Sequence, residues 1–467
     1  MKKFIDADFL LENEYSRELY HNYAKDLPLI DFHCHLNPQQ LAEDQKWDNI
    51  AQLWFGADSY KWRVMRGNGV DEYYCTGDAP DREKFQKFAE TMPELLRSPM
   101  YHLTHMELSR FFGIDNVLLS GDTAEEVWKR TGEMLSDDMS ARNILLKSKA
   151  EVVCTNDDPT SSLEYHNKVN ESGFPVKVLP SFRPDAAFNI ESENYTDYLE
   201  QLERITGLEI RSYDDLLNAL KRRHDYFHSV GCRVSNYEID TVWFKNAFYY
   251  EVEDTFKKAI SSSEQIAADE VLAFKSAILL ECAAMDHDKG WVRQLHIGAM
   301  RNTNKKMYKK VGADKGFDAI GESNYALSLS RHLNKLNTAG KLGKTIFYNS
   351  NPKDNAMMAS ILGDFQGSDF AGKLQLGGAW WGVMDNIDGI KRQLDSMSSM
   401  AVPGRFVGCA SDARSFLSLS RHEYFRRALC NILGTEMKRG LLPADINLIG
   451  NLAKKISYEN AKNYFAM

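Results

Sequence analysis

The 467-residue chain has no run approaching the ~20 consecutive apolar residues that a membrane span needs. A helical membrane protein is therefore excluded. It has no CxxC pair either. Its seven cysteines are scattered and odd in number, so a disulfide framework is set aside and reduced thiols of a cytoplasmic protein are expected. Basic residues never cluster into a nucleic-acid surface: 57 Lys and Arg stand against 66 Asp and Glu, a net charge of −9. No GxGxxG or Walker loop follows any apolar run, so nucleotide binding has no motif to rest on. The opening "MKKFIDADFLLENEYSRELY" breaks its apolar stretch with Asp6, Asp8, Glu12 and Glu14, so no secretory signal is expected. Pro/Gly/Ser linkers, low-complexity segments and internal repeats are missing as well, and nothing marks a cut between domains.

What is present is an ordinary globular mix, 43% hydrophobic and 26% charged, long enough for a large core. Eight short apolar runs end in polar residues: 27–35, 150–159, 174–185, 230–240, 290–302, 343–352, 372–382 and 404–414. Runs of this length bounded by Gly, Pro or Asp suit buried parallel strands. Helix-period stretches such as "YDDLLNALKRRHDYFHSV" and "DEVLAFKSAILLECAAMDH" lie between them. The alternation predicts an α/β fold, a (β/α)8 TIM-type barrel, with a doubly wound open sheet as the alternative. About 115 residues separate the first and second runs, far beyond an ordinary connection. That stretch is helix-like, so residues 39–148 are expected to be a helical insertion over the barrel mouth, within a single catalytic domain spanning 1–467.

In such a barrel the chemistry sits at the C-terminal ends of the strands. The first run offers His33 and His35 there, the second Asn156, Asp157 and Asp158, the third Arg183 and Asp185. The fifth offers His296 and Arg301, the seventh Trp380 and Trp381, the eighth Asp412 and Arg414. Core packing has no need of a polar group at every rim, and burying them unpaired would cost several kcal/mol. An HxH pair alone is ambiguous between a metal site and two core imidazoles. Joined by a strand-end histidine and a final-strand aspartate, it suits Zn²⁺ or a similar divalent ion with open positions. Cys34, between the two histidines, points the other way on a strand and is no ligand candidate. His102 and His105 fall in the insertion, and "KRRHDYFH" reads as a solvated helix edge.

The motifs "DFHCHLNP", "YKWRVMRGNGVDEYYCTGDA", "CTNDDPTSSLEYH", "LPSFRPD", "LHIGAMRNTN", "DKGFDAIGE", "NPKDNAMMASILGDFQ", "WWG" and "FVGCASDARSFLSLSRHEYFRRALCNILG" resemble, in order, the uronate (glucuronate) isomerase family, a divergent branch of the amidohydrolase superfamily. The likeness runs from about residue 2 to "ISYENAKNYF". It implies a (β/α)8 fold and interconversion of D-glucuronate with D-fructuronate and of D-galacturonate with D-tagaturonate. It also implies one divalent metal, zinc being the first choice, held by His33, His35 and Asp412. Asp412 is then the expected proton shuttle through a cis-enediolate, and Tyr60 a donor to a sugar oxygen. Arg414 and Arg183 suit the substrate carboxylate, with His296, Arg301 and Trp381 lining the substrate. A homo-oligomer acting on a small sugar acid, with no nucleic acid and no membrane, completes the expectation. The run "GCRVSNYEID" carries no bridging lysine, which favours one metal over two. Two positions depart from the family pattern. Ser59 stands where "GDHYKWR" would place a histidine, and Asn236, Tyr237 and Glu238 stand where "SDHG" would follow Ser235. These departures keep open a paralogue acting on another sugar acid, a mononuclear hydrolase, and a non-catalytic sugar-acid binder.

Overall fold

The computed structural model describes residues 4–261, 265–378 and 385–467. Nine strands occur among them: β1 (Leu29–Asp31), β2 (Ala150–Cys154), β3 (Lys177–Leu179), β4 (Val234–Ile239), β5 (Val292–Ile297), β6 (Ala299–Met300), β7 (Ala319–Ile320), β8 (Thr345–Asn349) and β9 (Leu374–Leu376). Two parallel sheets, β1-β2-β3 and β4-β5-β8-β9, carry the barrel, and β6-β7 is a small antiparallel ribbon beside its mouth. Phe182 joins the two sheets. It bridges Asp157 on one side and Ser235 on the other, donating its N–H to Val234 O at 3.0 Å and accepting from Asn236 N at 2.9 Å.

Seven of the eight expected runs contain a parallel strand, but the eighth does not. Residues 406–413 carry no strand ladder. Gly408 (φ +81°) and Asp412 (φ +49°) turn the backbone into the left-handed region, where a regular strand cannot continue. Side chains take over the missing ladder bonds. Gln375 accepts from Val407 N at 3.0 Å and donates to Arg405 O at 2.9 Å, and Asp31 accepts from Ser411 N at 2.8 Å. Backbone bonds from Asp412 N to His33 O (3.1 Å) and from His35 N to Ala413 O (2.8 Å) close the ring against the first run. Gly378 is required at this closure, because a Cβ there would lie 2.5 Å from Gly408 O.

The barrel interior is filled by Ile30, Phe32, Val152, Cys154, Val234, Val292, Ile346, Tyr348 and Val407, with Tyr464 and Phe465 packed among them. Phe465 stacks on Phe32 with ring centroids 4.6 Å apart, so the helix Asn460–Phe465 plugs one end and leaves the other for chemistry. Between β1 and β2 the chain is helical, as the spacing predicts. Ser59–Gly67 starts on the N-cap Asp58, which accepts from Tyr60 N, and Pro99–Phe112 starts on Ser98 and stops at Gly113 with φ +61°. Apolar faces of these helices share one cluster with Val153 of β2, Val178 of β3 and Ala413.

One reading is corrected. "KRRHDYFH" is not a solvated edge: His224 is buried, its Nε2 is 3.0 Å from Asp286 Oδ1, and its ring stacks on Trp291 at 3.7 Å. The helix Tyr213–Ser229 turns the stripe Leu216, Leu220, His224 and Phe227 onto the sheet, and Asp286 satisfies the one polar member.

Candidate active site

The strand period brings the site together. On β4, Val234, Asn236 and Glu238 share the inward face, while Ser235 and Tyr237 face out and donate to Asp286 at 2.6 Å each. On β5 the inward set is Val292, Gln294 and His296, and His296 lies opposite Glu238 in register. Just past β1, His33 and His35 turn inward. Cys34 between them is buried in the wall, its thiol donating to Cys154 O at 3.2 Å.

Donor atoms of His33, His35 and Asp412 lie within 4.8 Å of one another. Asp412 Oδ1 is 3.5 Å from His33 Nε2 and 3.1 Å from His35 Nε2. Its other oxygen, Oδ2, accepts from the Tyr60 hydroxyl at 3.4 Å. Behind His33, Nδ1 lies 3.2 Å from Asn236 Oδ1. Asn236 donates to Asn156 Oδ1 at 2.7 Å, and Asn156 donates to Cys34 O at 2.9 Å. This chain of amides orients the His33 ring so that Nε2 faces Asp412 and the rest of the triad. The charge states also suit a metal. Burial, then the Arg414 charge, push His35 down to about 3, which keeps its ring neutral. Burial acts to raise Asp412, but its bonds to His33 and His35 and the Arg414 charge outweigh it and hold the carboxyl well below its usual range. Neutral imidazoles and an ionised carboxylate are the ligating forms. The three residues fit one divalent ion.

His296 is buried between His33 (ring centroids 4.4 Å) and Tyr348 (4.5 Å, nearly parallel). Burial first, and His33 next, press its pKa well below the ordinary value, so it is a neutral ring. Burial, then the Asp412 charge, raise Tyr60, so its phenol stays protonated and is a donor.

Arg183 and Arg301 meet at Glu238. Arg183 pairs with Glu238 and, at 2.6 Å, with Asp185; Arg301 pairs with Glu238 and Asp318. Asp185 also accepts from Glu238 N at 3.0 Å. Arg414 differs. Among the described residues it has no ion-pair partner within 4.0 Å, and its buried Nε has no hydrogen-bond partner. All three arginines line an inner cavity of about 160 Å³ with His33, His35 and Asp412. An outer cavity of about 440 Å³, lined by Ser59, Tyr60, Asp385 and Arg421 among others, shares Arg301, Asp314 and Arg414 with it. Trp381, expected to wall the site, lies outside the described residues.

Sequence reasoning missed Asp31, Asp385 and Arg421. Arg421 is 3.4 Å from Asp385 Oδ2 and donates to Ser411 O at 2.9 Å. Asp31 does carry a visible signal, a carboxylate inside an otherwise apolar run. The other two carry none, because their partners are distant in sequence.

A barrel whose first-run HxH and final-run aspartate converge at the open mouth defines a class: an α/β-barrel enzyme with a triad spaced for a single divalent ion. The sequence profile described as glucuronate isomerase matches residues 1–465. A uronate isomerase of Caldanaerobacter subterraneus is 48% identical over 469 residues, covering all of both chains. That of Cellvibrio japonicus is 45% identical over 465 residues, covering 99% of this chain and 98% of its own. The crystal structure of uronate isomerase from Thermotoga maritima superposes with a TM-score of 0.94 at 32% identity, covering 99% of this chain and all of the other. The chain belongs to the glucuronate isomerase family and is an isomerase.

Proposed function

We propose that the enzyme interconverts D-glucuronate with D-fructuronate and D-galacturonate with D-tagaturonate. The observation that carries this reading is Arg414, an uncommitted guanidinium facing the chamber that holds the triad. A planar fork with free donors suits a sugar carboxylate and sets uronates apart from neutral sugars. His33, His35 and Asp412 would hold the ion, zinc by donor type, and it would supply Lewis acidity for the charge that develops on the sugar.

The rest is done by side chains. Isomerisation takes the proton from carbon 2 and leaves its electron pair as negative charge on the oxygen of carbon 1, giving the cis-enediolate. The carried proton then goes to carbon 1, and the hydroxyl proton on oxygen 2 passes to oxygen 1, leaving the new carbonyl at carbon 2. Asp412 is ionised and sits beside the Tyr60 hydroxyl, so it can accept and return that proton. Tyr60, kept protonated, donates to a sugar oxygen. Arg183 and Arg301 line the substrate as members of an ion cluster, and His296 offers a neutral ring at the chamber floor.

The same reading takes residues 1–467 as one catalytic unit with 39–148 inserted, supported by the cluster the inserted helices share with β2 and β3. The seven free, buried cysteines support a cytoplasmic setting. Self-association is part of the reading too. The exposed Phe248, Tyr249 and Tyr250 support it, and sedimentation velocity checks it. A second reading, activity redirected to a related sugar acid, is favoured by Glu238, which ties up two of the three mouth arginines.

The test is coupled reduction of the ketose product across a panel of uronates, with and without chelator. Turnover of glucuronate or galacturonate at ~1–10³ per second is expected. Metal-loaded protein that turns over neither overturns the first reading.

A further inference from the structure

Asp412 reaches the two histidines from a backbone that a carboxylate residue seldom adopts, with φ +49°. Such a conformation is strained for a residue with a Cβ and persists only where neighbours over-determine it. The peptide that precedes it, between Ser411 and Asp412, is held at both polar atoms. Its N–H donates to His33 O at 3.1 Å, and its carbonyl accepts from Arg421 Nη1 at 2.9 Å. Returning Asp412 to a relaxed φ rotates this peptide and breaks both bonds together.

The reach of Arg421 is itself fixed. It stands in the first turn of the helix Ser420–Lys438, its Nε is 3.4 Å from Asp385 Oδ2, and its guanidinium carbon lies 5.5 Å from the Tyr60 ring centroid. One planar fork therefore borders the carboxylate's backbone and the phenol that donates to the same carboxylate. Among the described residues no hydrogen bond or ion pair joins Arg421 to a side chain of the triad; its contacts are the Ser411 carbonyl, Asp385 and the Tyr60 ring.

We propose that Arg421 is a positioning residue, which holds the strained Ser411–Asp412 peptide so that the Asp412 carboxylate is aimed at His33, His35 and Tyr60. The proposal rests on the metal site and reaction proposed above. It predicts that losing the fork loosens the ion and slows turnover without weakening capture of the sugar carboxylate, which belongs to Arg414.

The experiment compares wild type, Arg421→Gln and Arg421→Lys, each loaded with zinc. It follows metal retained against a chelator, kcat and KM on a turned-over uronate, and thermal unfolding. In folded Arg421→Gln, metal affinity is expected to fall about 10- to 100-fold and kcat about 100-fold, with KM within about threefold. Arg421→Lys keeps one donor for Ser411 O but no fork, and falls between the two. If the Gln variant does not fold, the Lys variant decides by the same readings. Wild-type metal retention and kcat in whichever folded variant decides would overturn the proposal. Metal retention needs no substrate, so a wild type that isomerises no uronate would sink the functional reading while this inference is still judged on retention.

Discussion

Two corners of the inner chamber face each other and are built on opposite rules. At His33, His35 and Asp412, three donor atoms gather within 4.8 Å of one another, with the His35 ring neutral and the Asp412 carboxylate ionised. At Arg183, Glu238 and Arg301, every charge already has a partner within the protein. Both corners look equally polar in a list of mouth residues. The difference teaches that a ligand-binding group is recognised by what it has been left to bind, and a wall group by what it already holds.

The largest effect is expected where the first corner is broken. Asp412→Asn keeps the shape but removes a ligand and the proton carrier together. Turnover should drop at least about 10³-fold, with metal lost on dialysis, as read by the coupled assay and metal analysis. A variant within tenfold of wild type would erase the contrast. Next comes the pair Arg414→Met and Arg301→Met. Losing the free fork should raise KM up to about 100-fold with kcat little changed. Losing the committed arginine should move KM less than about threefold and instead lower the melting temperature, because Asp318 loses its ion-pair partner and Glu238 one of its two. Equal effects on KM would show the two corners to be alike.

Asp385 sharpens the contrast from the outer chamber, as a buried carboxylate whose one ion pair among the described residues is a long contact to Arg421. Burial raises it to about 6, against the opposing pull of Arg421, whereas an unfolded aspartate titrates near ~3.9. Between those values the folded state binds more protons than the unfolded one, so stability falls as pH rises through this window. Asp385→Asn should flatten that fall, by about 3 kcal/mol across the window, in urea unfolding at a series of pH values. An unchanged slope would mean that Asp385 is as fully paired as Glu238. The smallest effect is expected of Ser59→His. Residue 59 lines the outer cavity and not the inner one, so kcat/KM should shift by no more than about threefold.

The first corner was legible in the sequence because metal chemistry restricts residue type and a strand restricts spacing. His33 and His35, two apart after an apolar run, and Asp412 at the end of another satisfy both restrictions. The second corner was legible only as three separate strand-end residues. That Glu238 binds Arg183 and Arg301 depends on the ends of β3 and β4 and on the ribbon beyond β5 meeting in space, and no local pattern encodes it. The barrel was readable from alternation, and the helical stretch 39–148 from its length and period. The eighth strand misled because its apolar run is real, but Gly408 and Asp412 adopt left-handed φ, and an aspartate gives no local sign of doing so. His224 misled in the opposite sense. The helix was evident, yet the face it buries is decided by Asp286, in another helix.

Asp31 and Ser411, 380 residues apart, are joined by two hydrogen bonds at the seam where the ring closes. Long-range closures of this kind form late and slowly. The proposed metal triad lies across the same seam, so the ion would act as a clasp on the finished barrel as well as a reagent. At a free concentration 100 times its dissociation constant, an ion that binds only the folded chain adds about 2.7 kcal/mol to stability. A cell short of that metal would then hold fewer molecules of the enzyme, and not merely idle ones.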